Sequence, residues 1–465
     1  MTATATGSPV ARRGRPDRPT PPAPTPRPAP LGRCLRFELV KLAAQWRIRI
    51  AVLVCWLGPG VLVAVVSGQS SLPSDTVFGR SMSQTGWAGA LVVLSFCAVW
   101  VLPLITSLVA GDAFAVEDRL GTWRHVLVAV RSARRIFVAK ALASVTVIAV
   151  LAVGLATSSI VGGLVAVGSR PLVGLDGHLL PPGAAAGATV LAWTIALAPT
   201  LAFAAVGLLG SVVLGRSPTG LLVPALLALA LQLAQLLPLP VIVRMALPSY
   251  GFLAWRGLFT DPTQLEPVFI GVVVDLVWAV AATALAYVLF TRRDFTDLAY
   301  DGTGRRALRG ATVPLVVVLA ASVGVIALAT PASGSGIDAP KLNASLATAF
   351  GHLYRLQSRE LDRPDVTEAQ LASTAQCDKG GSLVEDHGAG NDWRCVVTWH
   401  LPGATATGSA IYQLDVTPDG RYVADGDGPQ AVNGFFQVQT ATGDAPNPLW
   451  QFDGSVDLVT TVREG

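Results

Sequence analysis

Long apolar stretches alternate with short polar breaks along most of the chain. Seven apolar runs stand out, at 50–67, 88–110, 141–167, 185–214, 220–241, 268–290 and 312–329. Each lies within or above the roughly 17–25 residues with which a helix crosses a bilayer core. A soluble fold would have to bury all seven inside one protein interior. The pattern therefore predicts a polytopic α-helical membrane protein, with six spans over residues 50–293, a linker at 294–311 and a seventh span at 312–330. Ahead of the first run, residues 33–49 carry Leu35, Leu39, Leu42 and Trp46 on one narrow helical face, with Arg36, Lys41 and Arg47 projecting elsewhere. That spacing predicts an interfacial amphipathic helix with Trp46 at headgroup depth.

Finer features qualify this plan. Gly58-Pro59-Gly60 falls near the middle of the first span and predicts a kink there. Gly162-Gly163 would let two helices approach closely, although a bias toward small residues also accounts for the pair. Residues 242–267, with Pro248, Tyr250, Trp255, Arg256 and Pro262, are too apolar for a solvated loop and too broken for a span. They predict a short re-entrant or interfacial hairpin.

Beyond the seventh span the period changes, and residues 331–465 read as a small α+β domain. It opens with a helix over 339–362, on which Leu342, Leu346, Phe350, Leu353 and Leu356 recur at near-helical spacing. A shorter helix is predicted over 366–375, followed by strands at 395–399, 410–416, 422–424, 435–439 and 456–462. Pro418-Asp419-Gly420 supplies a hairpin turn between two of these. At the other end, residues 1–32 are rich in Pro and Arg and hold too few large apolar groups to fold, so they read as a disordered arm. Its arginines suit anionic lipid. No aromatic residues interleave with them, which argues against nucleic acid.

Composition agrees with a membrane protein: apolar residues make up 52% and charged residues 14% of the chain, against about a quarter charged in soluble domains. Ten basic residues from Arg12 to Arg49 precede the first run; Arg131, Arg134, Arg135 and Lys140 follow the second, Arg216 the fourth, and Arg292, Arg293, Arg305, Arg306 and Arg309 the sixth. By the positive-inside rule these segments are cytoplasmic, and an odd number of spans leaves the C-terminal domain outside. The protein is thus expected in the cytoplasmic membrane with its N-terminus inside. The first apolar run comes too late and is too long for a cleavable signal peptide. Cys377 and Cys395 fall in the expected external domain, where they read as one disulfide or as two free thiols. Neither, taken with His387 and His400, fits the usual zinc spacing.

The segment 111–140, GDAFAVEDRLGTWRHVLVAVRSARRIFVAK, is the most charged break in the first half of the chain. It holds Asp112, Glu117 and Asp118, a Gly121-Thr122-Trp123 step, Arg124 and Arg135, and a closing Lys140. This order resembles the segment after the second span in permease subunits of type-2 ABC exporters, which show a Glu, a Gly-Thr step and a basic residue before a closing Lys. Val130-Arg131 stands where that family usually has a proline. The resemblance covers roughly residues 33–293 and implies a six-helix exporter-type bundle. It also implies a coupling helix around Glu117 seated in a separate ABC ATPase subunit, and a dimer with a second permease copy or a related permease.

No G-x-x-x-x-G-K-[ST] loop occurs in the chain. No cofactor is expected on the chain itself; ATP and magnesium would sit on the partner subunit. No catalytic Ser/His/Asp or Cys/His grouping is placed either, so an enzyme is not expected. Asp275, well inside the sixth run, reads either as a functional residue or as a carboxylate reaching a vestibule or pairing with Arg244 or Arg256. Gln232 and Gln235 read as interhelical contacts or as lining of the same pathway. The rival reading is a membrane receptor with an external sensor domain, which should carry a cytoplasmic output domain; none is legible. A secondary transporter should show several intramembrane charges or paired broken helices.

Overall fold

The computed structural model describes residues 28–69, 77–214, 219–237, 239–293, 304–329, 336–380, 385–403, 405–441 and 443–459. The expectations for the arm at 1–27, for Arg216 and for residues 294–303 of the linker lie outside these residues. Among them, five helices are long and apolar enough to cross a membrane: Trp46–Ser67, Gly86–Ala110, Ala133–Ala166, Pro182–Leu214 and Leu265–Thr291. The last of the seven runs lies within the helix Gly304–Ala329.

The fifth run departs from expectation. Its helix, Thr219–Ala234, has 16 residues, about 24 Å at 1.5 Å per residue, and it stops short of the predicted Val241. The sequence Pro238-Leu239-Pro240 accounts for this, since each proline removes a donor and crowds the preceding turn. The amphipathic helix also differs: it runs Leu31–Ala44 and ends at Gln45, whose extended backbone (φ −72°, ψ 128°) turns the chain into the first span. Trp46 therefore opens that span instead of closing the interfacial helix, and its ring is largely exposed.

Glycines set how closely the spans pack. The first span continues through Pro59, and the next amide, on Gly60, donates to Ser158 Oγ of the third span at 2.9 Å. A methyl group on Gly162 would lie 2.3 Å from Gly60 Cα, so the two backbones touch. Gly163 meets Gly86 in the same way. The small-residue approach read from Gly162-Gly163 is thus real packing. The second span carries a π-helical turn, Cys97–Val101, just before Pro103. The fourth breaks at Ala196 into Pro182–Ile195 and Leu197–Leu214.

The segment 241–260 is folded into the bundle and does not run over its surface. Short helical turns, Val241–Met245, Gly251–Ala254 and Trp255–Phe259, bury Met245, Phe252, Trp255 and Phe259. Phe78 stacks on Trp255, with centroids 6.3 Å apart.

The C-terminal region is a helix on an antiparallel meander. Asp338 caps the helix Ala339–Glu360 by accepting from the Lys341 amide at 2.9 Å. Strands Thr374–Lys379, Gly390–His400, Thr407–Val416, Arg421–Gly426 and Gln451–Ser455 pair in that order. Leu342, Leu346, Phe350 and Leu353 face Trp393, Val397, Tyr412 and Leu414 across one apolar core. Cys377 and Cys395 are directly opposed on neighbouring strands and form a disulfide.

Three local expectations here are corrected. The predicted helix over 366–375 is only Glu368–Leu371, because a Thr367 capping box starts it and the strand bearing Cys377 claims residues from Thr374 on. The strand expected at 435–439 lies at Gln437–Thr440; residues 456–459 of that expected at 456–462 carry no strand, which lies instead at Gln451–Ser455, and 460–462 fall outside the described residues. Alternation in the buried set, Phe452, Gly454 and Val456, fits a strand ending a few residues earlier than predicted.

The bundle has two distinct faces. One gathers the Leu31–Ala44 helix, segment 111–140 and Arg293, which bonds Asp118. The other gathers loop 168–184, segment 241–264 and the C-terminal sheet. Here Arg80 pairs with Asp453, Arg256 with Asp419 at 2.7 Å, and His352 meets the Asp176 carbonyl at 3.2 Å.

Candidate functional site

Segment 111–140 forms an elbow between the second and third spans. Two short helices, Ala115–Leu120 and Trp123–Val130, are joined at Gly121, which takes a left-handed conformation (φ 63°) that favours glycine. A second left-handed turn at Arg131 (φ 56°) leads to the third span, capped by Ser132 accepting from the Arg135 amide.

The acids of this elbow point inward. Glu117 is 2% exposed and Asp112 3% exposed, so neither presents charge to a partner. Glu117 accepts from Lys140 at 3.0 Å, from Lys41 of the amphipathic helix and from the Thr122 hydroxyl. Lys140, 2% exposed, also reaches Glu38 and the Ala113 carbonyl, both at 3.1 Å. Burial pushes the Glu117 carboxyl up, but Lys140, Lys41 and Thr122 outweigh it and hold it at about 2. Asp112 pairs with Arg47 at the start of the first span. Asp118 takes the Trp123 indole N–H at 2.7 Å and Arg293 at 2.6 Å. Trp123 packs on Phe114 and Phe290, at 6.3 and 5.4 Å between centroids.

These contacts make the elbow a brace. It ties the amphipathic helix, the starts of the first and third spans and the end of the Leu265–Thr291 helix to its inward-pointing charges. Every ion has a counter-ion or a hydrogen bond, the condition under which buried charge is tolerated. What the elbow exposes is different in kind: Leu120 and Val128, 61% and 65% exposed, beside Arg124, His125, Arg131 and Arg134. Chain entering from the N-terminal arm borders this surface, where Pro28 and Ala29 carbonyls accept from Arg135 at 2.9 and 2.6 Å.

Residues 34–215 match the model of the ABC-2 family transporter protein. Over these residues the chain is similar to that transporter family. The match takes in most of the amphipathic helix, the elbow and the first four membrane-capable helices, and it ends before the C-terminal domain. No curated protein and no solved structure matches the chain. The match and the five membrane-capable helices together support a multi-pass membrane protein similar to the permease subunits of ABC transporters.

The structure brings together several of the elbow residues singled out by sequence. Glu117, Thr122 and Lys140 share one cluster, Asp112 and Asp118 pair separately with Arg47 and Arg293, Gly121 shapes the turn, Arg135 holds the incoming chain and Arg124 is exposed. Asp275, Gln232 and Gln235 lie apart from them. Gln232 donates to the Ala98 carbonyl within the π-helical turn at 3.2 Å, and Gln235 to Ser249 at 2.8 Å. The pairing of Asp275 with Arg244 or Arg256 is not formed: Arg244 bonds the Gln235 and Pro418 carbonyls and leaves its Nε unpartnered among the described residues, and Arg256 bonds Asp419.

Sequence reasoning missed Glu38, Lys41, Arg47, Trp123 and Arg293 as partners of the elbow residues. One signal was legible: Glu38 is the single acid among residues 28–50, on an otherwise basic helix.

Proposed function

We propose that this protein is the membrane half of an exporter, driven by a separate ABC ATPase that seats on the exposed side of the Trp123–Val130 helix. The observation that carries the reading is the contrast within the elbow: its acids form an internal brace, and its outward surface is an apolar pair flanked by cations. A rigid lever with an apolar, basic tip suits a groove on a soluble partner. In this reading the basic face is cytoplasmic, the C-terminal domain is extracytoplasmic, and ATP with magnesium is held by the partner.

Force then travels inward through Glu117 and Lys140. Dimerisation of the ATPases pushes the Trp123–Val130 helix, and the brace passes that push to the amphipathic helix and to the ends of three spans. The two permease copies, or a permease and a related one, rock against each other within the lipid. Substrate leaves by a pathway past Gln232, Gln235 and Asp275 toward the segment 241–260. The broken fourth helix and the π-helical turn supply places where backbone can rearrange.

The test is the pair of substitutions Leu120→Asp and Val128→Asp in the full chain. Both sites are exposed, so the fold and its melting temperature should hold within about 1 kcal/mol. Co-purification of the ATPase should fall on the order of thirtyfold or more, as for loss of interface anchors. Undiminished co-purification would remove the docking surface from this helix.

A further inference from the structure

Asp275 sits ten residues beyond Leu265 in its helix, about 15 Å along the axis. It is the only acid beyond the first turn in the five membrane-capable helices. The side chain is fully buried, and neither carboxylate oxygen has a hydrogen-bond partner. Buried polar groups that serve structure are normally satisfied. An anion in an apolar bundle without a counter-ion is a costly arrangement, relieved either by protonation or by a bound cation.

The surroundings show where such a cation would enter. A methyl group on Gly251 would fall 1.8 Å from Asp275 Oδ2 and 3.3 Å from Pro199 Cδ. The carboxylate therefore rests against the backbone of the segment 241–260, opposite the proline that follows the break at Ala196. Val274 and Trp278 on the same helix belong to an apolar and aromatic core with Ala202, Tyr250 and Ala254. The same segment leads out to a cavity of about 300 Å³ beneath the C-terminal domain, walled by Asp176, Asp261, Asp457 and Lys341. Lys341 is bound to the Gly336 carbonyl at 3.2 Å, Asp176 to His178 and the Asp261 amide, and Asp457 to the Val459 amide, so three acids and one ammonium line the cavity, with Asp176, Asp457 and Lys341 already engaged.

We propose that the transported substrate is an amphipathic organic cation and that Asp275 binds its positive group. This assignment rests on the reading of the chain as a permease. The apolar core takes the substrate's hydrocarbon part, the carboxylate takes its charge, and the acid-lined cavity receives it on the far side. Gly251 lets the carboxylate lie against the backbone here, since any larger residue would occupy the position of Oδ2.

The experiment uses the full chain in lipid nanodiscs without ATPase, so its outcome is independent of whether the exporter partner is correctly assigned. Equilibrium binding is measured for tetraphenylphosphonium and tetraphenylborate, ions of similar size and opposite charge. Wild type should bind the cation at least about tenfold more tightly than the anion. Asp275→Asn should weaken the cation by about thirtyfold, and Asp275→Glu should retain much of it. Gly251→Ala, which displaces the carboxylate without removing it, should also weaken the cation and serves if Asp275→Asn does not fold. Equal binding of the two ions by wild type, or full cation affinity in Asp275→Asn, overturns the proposal.

Discussion

Glu117→Arg is expected to destabilise the protein by about 3–5 kcal/mol, the cost of leaving buried charge without its partner. The position is 2% exposed and sits between Lys41 and Lys140. A guanidinium there would add a third cation to the site, with Glu38 the one acid left on Lys140. The Thr122 hydroxyl would lose its acceptor as well, and that bond helps fix the turn at Gly121. Thermal unfolding of the purified full chain, followed by tryptophan fluorescence, should show a clearly lowered midpoint and a smaller folded yield. Glu117→Gln keeps the shape and a hydrogen-bonding oxygen, so it should cost less. An unchanged midpoint in Glu117→Arg would mean that the brace is not formed. Because Glu117 is buried, its charge reversal cannot separate lost docking from lost fold, whereas substitutions at exposed Leu120 and Val128 can.

Arg256→Ala is expected to loosen the C-terminal domain from the bundle, at about 2–4 kcal/mol for truncating one side of a buried, hydrogen-bonded charge pair. Arg256 donates to Asp419 at 2.7 Å, and Asp419 also takes Arg421 at 2.9 Å and the Thr417 hydroxyl. Burial lowers the Arg256 guanidinium to about 10, with Arg421 adding to the fall and Asp419 opposing it. For Asp419, burial raises the carboxyl, but Arg256 and Arg421 outweigh it and hold it well below the usual carboxylate range. A carboxyl lowered on folding contributes stability above its ordinary range and loses it only as pH falls through the lowered value. The clamp should therefore persist through mildly acid pH. Hydrogen exchange should report the substitution directly, with faster exchange at the turn 417–421 and at 250–259 in Arg256→Ala. Unchanged exchange in both segments would contradict the clamp.

How much of this was legible in the sequence follows from what each signal measures. Length and hydropathy placed the bundle, because a span of about 20 apolar residues has few other homes. Helical spacing of Leu342, Leu346, Phe350 and Leu353 placed the C-terminal helix for the same reason, since its one buried face is periodic. The opposed pair Cys377 and Cys395 was readable from their shared polar setting. The elbow was located by its charges, but their direction was not: Asp112 and Glu117 look like surface acids in one dimension. They are buried because Lys41 and Arg47, tens of residues away, reach back to them. Pairs such as Arg80 with Asp453 join residues on different elements, and no local pattern encodes them. The length of the fifth helix was misread because apolar composition continues past the prolines that end its regular backbone.

The most direct test of the lever is photo-crosslinking from single positions in the assembled transporter. A photoreactive residue replaces Val128, and in a second sample Phe436, an exposed position on the C-terminal domain. The account predicts an adduct between position 128 and the ATPase subunit, strengthened or shifted when nucleotide is added, and none from position 436. An ATPase adduct from position 436 with none from position 128 would contradict it, and would place the motor on the opposite face.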